Sequence, residues 1–188
     1  AAWGDTDVFI SGFDTNVGQV TEIPQSLVED IRGANLEGLD SIQAGRFLST
    51  SVVTSDGKAD PSVAWFALEH NEGSVIGTAE EGLSWFDLEE INRFSPTPQV
   101  VVNQVFSDEL EVGVGDEIQL GWFVRNQNGV ERIEENFTIH QVVAMAGQGQ
   151  LAGTTSPALF TDLLSAQGWQ QSEGNVTSIR ISLDGVEE

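Results

Sequence analysis

Apolar and polar positions follow a period of two in some stretches of the chain and a period near four in others, and the two rhythms divide it into elements. From Asp5, the stretch DTDVFISGF sets Val8, Ile10 and Gly12 on one side and Phe9 and Ser11 on the other, which predicts a first strand. IPQSLVEDIRG spaces Ile23, Leu27 and Ile31 four apart, with Pro24 where a first helical residue would be and Gly33 as the stop. Leu39 to Thr54, and Ser62 to Glu69 beyond the turn-rich DGKADP, carry the composition of a β pair. Between residues 70 and 97 the pattern weakens. There NEGSVIGTAEEG is turn-rich, and LSWFDLEEINRF fits a short helix or an irregular loop.

The second half is more regular. Val100 to Val102 is a short β-rich run, QVFSDEL offers one or two helical turns, and EIQLGWFVR alternates with Ile118, Leu120, Trp122 and Val124 on one face. Asn128-Gly129 has the chemistry of a type I′ hairpin turn. The returning VERIEENFTIHQVVAMA is long enough to need a bulge or to be two strands. SPALFTDLLSAQGW predicts a helix with Ser156 as N-cap, Pro157 at its first position, Leu159, Leu163 and Leu164 inward and Gly168 as stop. NVTSIRISL closes the chain as a strand through Val176, Ile179, Ile181 and Leu183. Strand-helix-strand units thus stand at both ends of a β-rich middle, and no short-period repeat is present. The fold class expected is α+β: a discontinuous α/β lobe from residues 1–70 and 147–188, with an inserted β-rich lobe over 71–146.

Charge changes the picture more than size does. The 188 residues, 39% of them hydrophobic, are enough for a sizeable core without staples, and the absence of cysteine excludes disulfide and thiolate chemistry. Thirty acids against seven bases give a formal net charge of -23, spread along the chain rather than gathered in a tail. Nucleic acid is therefore a poor partner. Such a surface fits a salt-adapted organism, because at 1 M salt the Debye length shrinks to about 3 Å and self-repulsion is screened. Nearly every carboxylate is then expected to be solvated. No stretch approaches the roughly 18 continuous apolar residues of a membrane span. The opening AAWGDTDVF, without initiator Met or signal-like segment, is read as an expectation that the chain is a piece of something larger.

Motifs that could carry chemistry are few. Gly147, Gly149 and Ala152 in GQGQLAG satisfy a dinucleotide-type G-x-G-x-x-A, but TTSP separates them from the next helix signal, and the acid about 20 residues on, Glu173, precedes a strand instead of ending one. A mobile Gly/Gln loop is the simpler reading. Gly57-Lys58 is followed by Ala59, so no Walker-type phosphate loop exists. His70 and His140 are the only histidines; a zinc site or a Ser-His-Asp triad through His140 is less favoured than an ordinary sheet histidine. Asp5 with Asp7 lacks the twelve-residue calcium loop, and Asp87, Glu89 and Glu90 could serve hydrolysis only across a groove. Asn136 and Asn175 head N-x-[ST] sequons and are candidate glycosylation sites. From Gln141 to Gln171 the sole charged residue is Asp162. In so acidic a chain, that neutral stretch marks Gln148, Gln150, Leu151, Thr154 and Thr155 as a candidate partner-contact loop.

The order of segments across PQVVVNQVFSDELEVGVGDEIQL, an apolar strand ending in Asn, a short helix ending in Leu and a Val-Gly-Asp step into a strand, resembles the extracytoplasmic core domain of FtsX-like and MacB-like ABC-transporter permeases. FTIHQVVAMAG, PALFTDLLSAQGW, TSIRISLDG, DVFISGF and IPQSLVEDIRG resemble that family's neighbouring elements, so the likeness covers most of the chain and is weakest from about Asn71 to Ser95. Gly115 and Asp116 then form a structural corner: glycine permits the sharp turn and the carboxylate satisfies backbone N–H groups.

The resemblance implies a domain outside the cell membrane, between the first two of four membrane helices, in a homodimeric permease driven by an ABC-type ATPase subunit. The implied partners include an envelope protein or lipoprotein, the implied role is mechanical, and neither catalysis nor a cofactor is expected. It predicts spans next to Ala1 and Glu188 in the full protein. A secreted or surface-anchored binding or adhesion domain is the alternative, with a signal peptide upstream; a nucleotide-using enzyme built on GQGQLAG is a third. From the charge alone, the melting temperature of the isolated domain should fall as salt is lowered from molar to millimolar, and a constant value across that range would contradict the salt-adaptation reading.

Overall fold

A computed structural model describes residues 8–14, 19–70, 75–76, 83–127, 129–144 and 156–184. In chain order its elements are β1 (Val8–Ser11), β2 (Phe13–Asp14), β3 (Gln19–Val20), β4 (Ile23–Pro24), α1 (Ser26–Gly33), β5 (Leu39–Thr54) and β6 (Ala59–Leu68). There follow β7 (Val75–Ile76), β8 (Leu83–Ser84), α2 (Trp85–Phe94), β9 (Gln99–Asn103), α3 (Gln104–Leu110), β10 (Glu117–Asn126) and β11 (Gly129–Val143). The last are β12 (Ala158–Asp162), α4 (Leu163–Trp169), β13 (Asn175–Val176) and β14 (Ser178–Leu183). The α+β class read from the sequence holds.

Eight strands form one sheet in the order β1-β14-β5-β10-β11-β9-β12-β6, and β6 also pairs with β5. That extra pairing closes β5, β10, β11, β9, β12 and β6 into a ring, from which β14 and β1 extend as a terminal ladder. Both β1 and β5 run antiparallel to β14 between them, so β1, α1 and β5 make a split β-α-β unit. Hydrogen bonding is continuous between the strands of the middle stretch and those of the chain ends: β10 pairs with β5, and β9 with β12.

Alternation fills the ring. Val63 and Trp65 of β6, Val100 and Val102 of β9, Ile118, Leu120 and Trp122 of β10, Phe137 and Ile139 of β11, and Leu159 of β12 belong to one buried cluster. Trp65, Trp122 and Phe137 meet edge to face at its centre, with ring centroids 5.3 to 6.2 Å apart. The Trp65 indole donates to Thr161 Oγ1 at 2.7 Å, which satisfies its only polar atom. A second cluster packs Phe66, Val101 and Phe160 from the outer faces of the same strands under Leu88 of α2, and a third packs Ile42, Ala44 and Ile179 against Val28 of α1 and Leu163 of α4.

The bulge expected in the long return strand lies between Ile139 and Gln141, where β11 pairs in parallel with β9. Several local expectations change. Pro24 is not the first helical residue but bridges to Asn175 in a short strand; α1 begins at Ser26 and buries Val28, leaving Leu27 exposed. The register pairs Asn126 with Gly129, so the hairpin connection is residues 127 and 128, one position earlier than Asn128-Gly129; Asn128 itself lies outside the described residues. Residues 85–94 resolve into a helix.

The largest change is in SPALFTDLLSAQGW. Ala158 to Asp162 is a fully buried strand, parallel to β6 and antiparallel to β9, and α4 starts only at Leu163. Leu164 is 58% exposed and Gly168 lies within the helix, not at its end. A short apolar run buried on both faces carries no period that separates strand from helix. Here neighbours on both edges decide it.

The one acid of the neutral stretch is not solvated either. Asp162 is 1% exposed: one carboxylate oxygen accepts from Ser165 N at 2.8 Å as the N-cap of α4, and the other from Asn92 Nδ2 at 2.8 Å, tying α2 to α4. Asp162→Ala should lower unfolding stability in urea by about 2 kcal/mol, the sum of a lost cap and a weakened buried hydrogen bond, whereas Asp162→Asn, which keeps an acceptor, should lose roughly half of that.

Candidate functional site

The strand that joins the terminal ladder to the ring is β5. Its first part, Leu39 to Gly45, pairs with β14; its second, from Gly45 to Val53, pairs with β6, and Ser51 to Thr54 pair with β10. Gly45 belongs to both sets, opposite Ser178 on one side and Leu68 on the other. A Cβ there would stand 2.6 Å from Leu68 Cδ2 and 3.0 Å from Ser178 Oγ, so the residue is glycine because the neighbouring strands close in on it.

Polar side chains lock this crossing. Ile42 and Ala44 face the third cluster and Leu48 and Val52 the first, and Arg46 lies between them on the same side of the strand. The guanidinium of Arg46, 7% exposed, donates to Gln170 Oε1 at 2.7 Å, to the Asn175 carbonyl at 3.0 Å and to Glu22 at 3.0 Å. It therefore draws together the segment before α1, the end of α4 and β13. On the other side of the ladder, Arg180 of β14 donates to Gln43 Oε1, and Gln43 Nε2 to the Glu69 carbonyl. The Glu69 carboxylate accepts from Ala44 N at 3.1 Å and from Arg32 of α1 at 2.6 Å. That hydrogen bond, foremost, holds the Arg32 guanidinium above its ordinary pKa against the opposing cost of burial.

The stretch from Pro98 to Leu120 forms the far side of the ring. Asn103, fully buried at the end of β9, caps α3 by accepting from Phe106 N, and it also accepts from Ala158 N and donates to the Ser156 carbonyl. Its role in stitching α3 to β12 has no sequence signal beyond a cap-forming residue before a helical run. Gly115 has φ +91° and donates to the Ile139 carbonyl at 2.8 Å; Asp116 accepts from Gly113 N through Oδ2 at 2.7 Å, and its own carbonyl accepts from Ile139 N. These two residues turn the chain from α3 into β10 while clipping it to β11.

Other singled-out residues are not brought together. His70 is exposed after β6 and His140 is half-buried on β11; among the described residues no three of His, Asp and Glu gather to hold a metal. Asp87, Glu89 and Glu90 sit on one helix rather than on facing walls, and Glu89 pairs with Arg93 at 2.5 Å. Asn136 is exposed on β11, while Asn175 is half-buried in β13. Asp5, Asp7, the GQGQLAG motif and the contact-loop residues Gln148, Gln150, Leu151, Thr154 and Thr155 lie outside the described residues. The next element among the described residues after GQGQLAG is β12, a strand, not the helix a pyrophosphate would need. No helix among the described residues is long and apolar enough to cross a membrane.

No protein-family model matches the sequence, and no curated protein matches it. Similarity lies in the fold. The periplasmic region of MacB from Actinobacillus actinomycetemcomitans matches with a TM-score of 0.58 over 96% of this chain and 75% of that one, at 10% identity. The extracellular domain of the ABC-type transporter YknZ from Gram-positive bacteria matches with a TM-score of 0.59 over 95% of this chain and 83% of that one, at 6% identity. The chain thus shares the α+β fold of these extracytoplasmic domains.

The Arg46 junction can be tested by its energetics. Gln170 Nε2 has no partner among the described residues, so Arg46→Met strips the buried amide of its other bond while Glu22, half-exposed, resolvates. The substitution should cost about 2 kcal/mol in chemical denaturation. Glu22→Gln should cost less than about 1 kcal/mol, as expected of a pair open to solvent on one side.

Proposed function

We propose that this chain is the extracytoplasmic domain of an ABC-transporter permease, and that it acts mechanically, with no bond made or broken by its own residues. The likeness of its fold to the MacB and YknZ domains carries this reading. The geometry of the chain ends supports it. β1 enters and β14 leaves the sheet at the same end, with Val8 opposite Ile181. Adjacent strands are about 4.8 Å apart, so two membrane helices joined to these strands could approach the domain side by side. Movement of the helices would reach the terminal ladder first and pass through β5 into the ring.

In this reading the ATPase is a separate or fused partner on the cytoplasmic side of a dimeric permease, and the work delivered outside is export, lipoprotein release or action on an envelope partner. Two arrangements of the domain relative to the membrane suffice, and the ATPase biases one over the other. The lack of cysteine in this chain offers a direct test of sidedness. Ala34→Cys, at the exposed end of α1, introduces a single thiol here. In the full-length protein, a membrane-impermeant maleimide should label this variant above the unmodified protein in intact cells. Labelling that occurs only after lysis would overturn the extracytoplasmic placement.

A further inference from the structure

The two N-x-[ST] sequons, alike in sequence, stand in unlike surroundings. Phe137 and Ile139 of β11 point into the ring's core, and side chains alternate along a strand, so Asn136 and Thr138 lie together on the outer face. Asn136 is exposed, and its amide has no hydrogen bond among the described residues. Its cross-strand neighbour Gln119 is exposed too, as are Glu117 and Glu134 beside them. β11 meets β9 only from Thr138, so at Asn136 the strand is paired along one edge, with β10. A bulky group on Nδ2 can project from this face into solvent without opening a strand pairing or a core contact.

Asn175 differs at each of these points. It is half-buried in β13, where it pairs with Pro24. Its carbonyl accepts from Arg46 at 3.0 Å and from Gln167 at 2.9 Å, and its N–H donates to the Ser172 carbonyl at 3.0 Å. The two residues that complete its sequon are buried: Val176 belongs to the core under α1, and Thr177 Oγ1 accepts from Phe47 N at 2.7 Å. A saccharide on that side chain would be set among these contacts instead of above a solvated face.

We infer that Asn136 is an N-glycosylation site of this protein and that Asn175, despite its sequon, is not. The donor is a lipid-linked saccharide phosphate. The bond from its anomeric carbon to the phosphate oxygen breaks, the lipid phosphate leaves with the electron pair, and the anomeric carbon joins Asn136 Nδ2, which gives up one proton. Thr138 supplies the hydroxyl that the acceptor motif requires. In the folded sheet Asn136 and Thr138 are held opposite Gln119 and Glu117, so transfer precedes closure of the hairpin, and the fold then has to accept the product. There the two sites part: the product at Asn136 leaves the sheet intact, whereas at Asn175 it intrudes on the Arg46 junction, so the folded protein carries the saccharide at Asn136 alone. The inference rests on the extracytoplasmic placement proposed above, since sequons of this kind are modified in chains that leave the cytoplasm.

Mass spectrometry of the full-length protein, taken from the membranes of its own organism, tests this. Cleavage after Glu173 places the two sequons in separate peptides. The peptide with Asn136 should carry a mass increment of one or more saccharide units, and the peptide with Asn175 none. Asn136→Gln should abolish the increment. So should Thr138→Ala, which leaves the acceptor amide in place, while Thr138→Ser should retain it. An unmodified Asn136, an increment on Asn175, or one that survives Thr138→Ala would each overturn the inference. Labelling of the Ala34→Cys variant separates this failure from that of the permease reading: an unmodified Asn136 in a protein labelled from outside removes the glycan alone, whereas labelling only after lysis removes both.

Discussion

One strand holds the molecule together. Sixteen residues of β5 pass from the terminal ladder into the closed ring, and every other side chain on one face contributes to a core: Ile42 and Ala44 under α1 and α4, Leu48 and Val52 inside the ring. A strand cannot slip by one residue without turning its buried set outward. The ladder and the ring are therefore fixed in relation to each other by the same register. Gly45, hemmed in by β14 and β6, and Arg46, bonded to three separate segments, stand at the point where the two cores meet.

The placement of charge follows from this frame. A chain at -23 keeps most acids in solvent, yet the few ionised groups it buries are at joints between elements: Asp162 between α2 and α4, Arg46 between the chain ends, Arg180 within the ladder. Each is hydrogen-bonded, as the cost of burying an unpaired charge requires. Apolar packing inside the ring sets the stability of the domain. The buried polar groups set which elements lie against which, and an apolar replacement of similar volume could keep the former while losing the latter.

Much of the fold was legible where local signals agree with tertiary demands. β10 follows its alternation, β5 and β9 their β-rich composition, and α3 is the short helical stretch expected of QVFSDEL; of the two readings open for the long β11 run, a bulge or two strands, the bulge is found. The sequence misled where neighbours overrode local preference. Ser156-Pro157 and the leucines after it have good helix chemistry, but β6 pairs with the whole of Ala158 to Asp162 as a strand and β9 with Leu159 and Phe160 on its other edge. Leu27 is apolar at helical spacing and still faces water, because Val28 is the residue directed at Ile42 and Ala44. The buried roles of Asp162 and Asn103 left no trace in composition, since a cap-forming residue before a helix is most often exposed.

The antiparallel ladder of β1 and β14 also has a direction of weakness. With the start of β1 and the end of β14 on one side, spreading those strand ends apart opens the Val8–Ile181 rung first and then Phe9–Arg180, Ile10–Ile179 and Ser11–Ser178 in turn, like a zipper. Pulling or pushing both ends together along the strand axis instead loads every rung at once. The fold is thus compliant to lateral separation of these two strand ends and stiff to axial thrust, the property of a piston rod and not of a tether.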